Sequence, residues 1–180
     1  MILYINSCVR DDSRTDRLAR AVLDKMGKYT EIYLPDEGLQ PLSGETLKKR
    51  TELLAKNDLN DPMFYYAHLF ANAEKIVISA PFWDGSFPSL LKIYIENIYA
   101  VGIVSRYDEK GMPVGLCRAT ELVYVTTAGG KYIPDFSYDY IKALADGCFG
   151  IKNTRLVMAE MLDIEGMDAE KLLQEAIDGI

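Results

Sequence analysis

Short, almost wholly apolar runs that alternate with amphipathic stretches constrain this chain most. Residues 75–80 (KIVISA) and 121–127 (ELVYVTT) carry few polar side chains. Such runs suit parallel strands covered on both faces, whereas a strand with one wet face alternates polar and apolar residues. Residues 2–5, 31–34 and 154–160 read as three more strands. Leu18, Ala19, Val22, Leu23 and Met26 recur at helical spacing, as do Leu91, Tyr94, Ile95, Ile98 and Tyr99. Gly27 is expected to stop the first of these helices, and Ser13 with Asp16 resembles a capping box at its start. Leu47, Arg50, Leu53 and Leu54 predict another helix, broken at Asn60-Asp61-Pro62. A further one follows over 64–70, with Tyr65, Leu69 and Phe70 inward. Tyr138, Ile141, Leu144 and Ala145 predict a helix closed near Gly147, and 168–177 a last one. The pattern predicts an α/β three-layer sandwich: a five-stranded parallel sheet of order 2-1-3-4-5 with helices on both faces. Residues 1–180 are expected to form a single domain. Residues 101–116, with Glu109-Lys110-Gly111 as a turn, read as a hairpin excursion.

Composition narrows the function classes. The apolar fraction of 49% supports a buried core without disulfides or metals. Cys8, Cys117 and Cys148 are odd in number and lack CxxC spacing, which predicts a reducing, cytoplasmic setting. His68 is the only histidine, so no multi-histidine metal site is expected. A net charge of -7 argues against a nucleic-acid-binding surface. No apolar run reaches the roughly 18–20 residues that a membrane span needs. The opening MILYINSCVR lacks the features of a signal peptide.

In such a sheet, ligands sit beyond the carboxyl ends of the strands. Three loops fall there. The first carries Ser7, Ser13, Arg14 and Thr15 into a helix, whose free N–H groups and partial positive charge suit a phosphate. Neither GxxxxGK[ST] nor GxGxxG is present, so the loop points to a monophosphate held by hydroxyls and backbone. Taken alone it also reads as an ordinary capped helix. The second loop, Pro81-Phe82-Trp83-Asp84-Gly85-Ser86-Phe87-Pro88, places aromatics after a buried strand. They suit either a flat ring or plugs in the core. The third is Thr127-Ala128-Gly129-Gly130-Lys131-Tyr132, where glycines allow close backbone approach or simply a turn. A Ser-His-Asp hydrolase fits poorly because no GxSxG elbow exists. Cys8 reads as a small buried residue in preference to a nucleophile.

Together these loops resemble the flavodoxin-like NAD(P)H:quinone reductase and FMN-dependent azoreductase family. The resemblance spans nearly the whole chain. It rests on APFWDGSFPSLLKIYIENI, on GIVSRYDEKGMPVGL and on TTAGGKY, in that order and spacing. It implies a flavodoxin-like fold and an FMN site. Ser7, Ser13, Arg14 and Thr15 would hold the phosphate. Pro81, Phe82, Trp83 and Asp84 would run along the isoalloxazine, and Thr127, Ala128, Gly129 and Gly130 would lie near its pyrimidine edge. It further implies a homodimer, with Phe64, Tyr107 and Tyr132 as candidates for the substrate pocket. The implied reaction is two-electron reduction of quinones, azo or nitro compounds by NAD(P)H through flavin N5, with no catalytic side chain. The family often has Asn at the position of Asp84 and a polar donor at that of Ala128. These two departures keep two rivals open: an FMN-binding electron carrier, and a degenerate, non-enzymatic relative.

Overall fold

The computed structural model describes residues 1–180. Strand β1 (Ile2–Asn6) lies between β2 (Tyr29–Tyr33) and β3 (Lys75–Ser79), and all three are parallel. A short hairpin of β4 (Ser105–Tyr107) and β5 (Pro113–Gly115) forms its own antiparallel pair. Strand β6 (Glu121–Thr127) pairs with β3, and β7 (Thr154–Ala159) with β6. The main sheet runs β2-β1-β3-β6-β7, which is 2-1-3-4-5 once the hairpin is set aside. The carboxyl ends of β1 and β3 form its switch point.

Alternation explains the apolar strands. Leu3, Ile5, Ile76, Ile78, Leu122 and Tyr124 face one layer. Its helices are α2 (Gly44–Ala55), α3 (Tyr65–Asn72), α4 (Ser89–Ile98) and α5 (Tyr138–Leu144). Tyr4, Val77, Val123, Val125 and Val157 face the other, formed by α1 (Arg14–Met26) and α6 (Ala169–Asp178). Each central strand is buried on both faces and therefore shows no polar alternation.

Several local expectations shift. Strand β2 begins at Tyr29, and Leu34 lies just past its end, still donating its N–H to the Asn6 carbonyl at 2.9 Å. Tyr65 points to solvent. The 3₁₀ turn Pro62–Phe64 seats Phe64 in the core, and Ala67, Phe70 and Ala71 continue that face. Gly27 does end α1, at φ 108°. Gly147 does not end α5: the helix widens into a π turn, Ala145–Phe149, and stops at Gly150, φ 80°. Only half of the capping box forms. Ser13 Oγ accepts from the Asp16 N–H at 3.3 Å, but Ser13 N–H donates to the Arg10 carbonyl, 3.2 Å. The Asp16 carboxylate is taken up by Tyr4, Asn6 and Arg20.

Candidate active site

The loops after β1, β3 and β6 enclose a cavity of about 490 Å³. Ser13, Arg14 and Thr15 line it from the start of α1, with Arg10, Asp12 and Arg17 beside them. Pro81, Phe82 and Trp83 line it from the second loop, and Thr127, Ala128 and Gly129 from the third. The segment after β7 closes the wall with Leu162 and Asp163, and α6 adds Glu170.

The α1 end of the cavity can take an anion. The Arg14 and Thr15 N–H groups donate to no acceptor in the chain, as expected of a first helical turn. The Thr15 and Thr127 hydroxyls lie 2.6 Å apart, both buried. Arg14 is tied across the site. Its Nη1 donates to the Leu162 carbonyl at 2.8 Å and its Nη2 to Asp163 Oδ1 at 2.6 Å. Arg17 clasps Glu170 through two bonds of 3.0 and 2.7 Å, which hold that carboxyl below its usual range.

The second loop is a two-residue hairpin turn. Trp83 and Ser86 exchange both backbone hydrogen bonds at 2.8 Å, and Asp84 and Gly85 have φ of 49° and 82°. Positive φ at both central positions is the type I′ pattern, for which Asp-Gly is a preferred pair. Phe82 N–H donates to the Thr127 carbonyl at 3.0 Å, so the second and third loops are stitched together. Trp83 is 36% exposed at the cavity.

The third loop is pinned to the segment after β7. Ala128 N–H donates to the Ala159 carbonyl at 2.9 Å, and the Met161 and Asp163 N–H groups donate to the Gly130 and Gly129 carbonyls at 3.0 and 2.9 Å. A Cβ on Gly129 would lie 2.3 Å from Asp163 Oδ2. Glu160 latches the far end, accepting from Tyr132 N–H at 2.8 Å and from Lys131 Nζ at 2.5 Å. Lys131, then the Tyr132 N–H, holds the Glu160 carboxyl below the usual glutamate range.

A family model described as flavodoxin-like fold matches residues 1–180. The chain belongs to the flavodoxin-like family. Within that family it is 33% identical to the FMN-dependent NADH:quinone oxidoreductase of Clostridium beijerinckii, over 98% of this chain and 94% of that one. It is 31% identical to the FMN-dependent NADH:quinone oxidoreductase 2 of Clostridium acetobutylicum, with the same coverage of both. Among solved flavodoxin-like structures, an azoreductase from Bacillus anthracis superposes with a TM-score of 0.84 at 20% identity, over 99% of this chain and 95% of that one. A second B. anthracis structure, an FMN-dependent NADH-azoreductase in complex with FMN, gives 0.82 at 22% identity, over 99% and 94%. At such identities these two structures speak for the flavodoxin-like fold alone.

On this flavodoxin-like frame the sequence-derived residues separate into groups. Ser13, Arg14, Thr15, Pro81, Phe82, Trp83, Thr127, Ala128 and Gly129 meet at one cavity. Ser7 does not. It is fully buried, and its hydroxyl donates to the Ser79 carbonyl at 2.7 Å, bracing β1 against β3. Asp84 borders an adjoining hollow of about 370 Å³, which shares Val9 and Trp83 with the main cavity. Gly130 stands just outside, with open space where a Cβ would be.

The three pocket candidates do not converge. Phe64 is core, because its turn seats it under α3. Tyr132 is buried behind Phe82, edge to face with ring centroids 5.0 Å apart, and its hydroxyl lies 2.8 Å from Ser137 Oγ. Tyr107 is 60% exposed on β4. His68 is held by the Leu59 carbonyl, 2.7 Å from Nε2, and takes no part in the cavity. Cys8 is buried, and burial pushes its thiol pKa up. A reactive thiolate needs the opposite shift.

Sequence reasoning missed Arg10, Asp12, Arg17, Leu162, Asp163 and Glu170. The rule that found the other loops also covers the residues after β7, since they leave the same sheet edge. The carboxylates Glu160, Asp163 and Glu165 just after that strand were the overlooked signal.

Proposed function

We propose that this chain is a single flavodoxin-like domain that binds FMN. In this reading it uses the cofactor to reduce quinones, azo or nitro compounds at the expense of NADH or NADPH. One observation carries the reading: a single cavity joins an anion-competent helix start to a wall of aromatic side chains and backbone. Its volume of about 490 Å³ falls within the roughly 300–1,000 Å³ typical of small-molecule sites. The donor set fits FMN. Unpaired N–H groups at Arg14 and Thr15, with the Ser13 and Thr15 hydroxyls beside them, suit the phosphate ester. Phe82 and Trp83 suit a flat ring, and the Asp84-Gly85 turn follows directly, with Asp84 on the adjoining hollow. The names of the quinone oxidoreductase relatives agree with this assignment.

When bound, FMN would supply the chemistry, taking up a hydride at N5 and passing it on. The chain's own work is binding and orientation. Stitching Phe82 to Thr127, and Ala128 to Ala159, fixes the ring-side loops before ligand arrives. Asp163 and Glu170 reach the cavity already paired with arginines, so neither stands free as a general base. The three unpaired cysteines suit a reducing compartment such as the cytoplasm. No helix of the chain is long and apolar enough to cross a membrane.

Trp83 is the only tryptophan, and it lines the cavity. Titration with FMN is therefore expected to quench the intrinsic fluorescence, and anaerobic NADH or NADPH to bleach the flavin band. Absence of quenching sinks the FMN assignment. Quenching without bleaching leaves an electron carrier in place of a reductase.

We also propose a homodimer. Trp83, Ile133 and Phe136 are exposed, Phe136 by 72%, on loops beside the cavity. An apolar rim of this kind suits a partner surface, and the second copy would complete the substrate pocket. Sedimentation should show a dimer that Phe136→Asp converts to monomer. A wild-type monomer at micromolar concentration removes this proposal.

A further inference from the structure

Three arginines and three carboxylates line the main cavity, but the pairing between them is uneven. Arg14 is committed to Asp163 and the Leu162 carbonyl, and Arg17 to Glu170. Arg10 makes no ion pair and no side-chain hydrogen bond. Only its backbone is engaged, its carbonyl accepting from Ser13 N–H at 3.2 Å. That bond closes a turn, Arg10 to Ser13, that leads into the helix cap. Its side chain is exposed and borders both the main cavity and a neighbouring hollow that also contains Arg20.

We propose that Arg10 is the cation that meets the phosphate ester of the flavin, and that Arg14 is a strut. This inference rests on the FMN reading above and deepens it. Drawing Arg14 onto a phosphate would strip Asp163 of its partner beside a new negative charge, and would break the bond to Leu162. Moving Arg10 breaks nothing. A phosphate monoester carries about −1.5 to −2 charges at pH 7 and favours the planar, forked guanidinium. Asp12 lines the same cavity and Asp11 sits on the same turn, neither in an ion pair. Both would repel the ester, so a free cation is needed there to offset them. The motif Ser13-Arg14-Thr15 draws attention to the wrong arginine because its two partners lie 148 and 149 residues further on.

The test compares FMN with riboflavin, which lacks the phosphate. Binding is read from flavin fluorescence, so no turnover is required. Arg10→Ala should weaken FMN by about tenfold or more and leave riboflavin within about twofold. It should also flatten the dependence of FMN affinity on salt, while Arg10→Lys should retain part of the binding. Arg14→Ala should weaken FMN and riboflavin alike and lower the melting temperature, as expected of a strut. The proposal is overturned if Arg10→Ala leaves FMN affinity unchanged or weakens both ligands equally. It is equally overturned if the FMN-selective loss belongs to Arg14→Ala. Wild-type protein that binds riboflavin and FMN equally overturns the role of Arg10 alone; binding of neither overturns the FMN reading along with it.

Discussion

Gly115→Ala is expected to cost about 3 kcal/mol, toward the upper end for overpacking. The melting temperature should fall by roughly 6–12 °C for a chain of this size. The reason is purely steric. A Cβ at Gly115 would lie 2.1 Å from both the Gly150 nitrogen and the Phe149 carbonyl carbon. Both are backbone atoms, so no rotamer change relieves the clash. The hairpin is held against the same turn by the Cys117 N–H, which donates to the Phe149 carbonyl at 3.3 Å. The substitution therefore pushes the hairpin and the π turn apart. Thermal unfolding followed by circular dichroism reads the effect. A melting point within about 2 °C of wild type would show that the π turn can slide away at little cost.

Asn6→Ala should be similarly damaging, by about 2–4 kcal/mol in urea denaturation. Asn6 ends β1 and is buried. Its Nδ2 donates to Asp16 Oδ1 at 3.0 Å and to Glu31 Oε1 at 2.9 Å. Its Oδ1 accepts from the Cys8 N–H at 3.0 Å and from Ser79 Oγ at 3.1 Å. Removing the amide leaves Glu31 with Arg20 alone, Asp16 with Tyr4 and Arg20, and the Cys8 N–H buried with no acceptor. The loop from β1 to α1 loses its anchor, so flavin affinity should fall with stability. Asn6→Asp tests the charge account. A third carboxylate there would have a raised folded pKa, so its penalty should ease as the pH falls. Equal stability of Asn6→Asp and wild type at neutral pH would contradict it.

The central strands β1, β3 and β6 were legible because both of their faces are covered, so each writes itself as an apolar run. The helical faces at Leu18, Ala19, Val22 and Leu23, and at Leu91, Tyr94, Ile95 and Ile98, were legible for the same reason. The α3 register was not, because it is set by the seating of Phe64 and not by periodicity. The position of the cavity followed from topology alone. The duties of individual residues did not. Ser7 looked like a phosphate ligand but turns inward to β3. Gly129 looked like room for a ligand, but the room is taken by Asp163. Arg14 looked like a phosphate ligand, but its guanidinium is bound to Leu162 and Asp163. In each case the deciding partner is distant in sequence, and local pattern carries no information about it. Asn6 is the converse: a single polar residue closing an apolar strand, with all of its hydrogen-bonding capacity used by neighbours that pattern does not reveal.

The bonds from Arg14 to Leu162 and Asp163, and from Arg17 to Glu170, have a consequence for biogenesis. They clasp the start of α1 to residues that leave the ribosome 148 to 153 positions later. Until those residues emerge, the cavity lacks the part of its wall formed by Leu162, Asp163 and Glu170, and Arg14 carries an unneutralised charge. Loading of the flavin is therefore expected only after Leu162, Asp163 and Glu170 have emerged. A ribosome-stalled chain ending before Leu162 should leave the cofactor in solution.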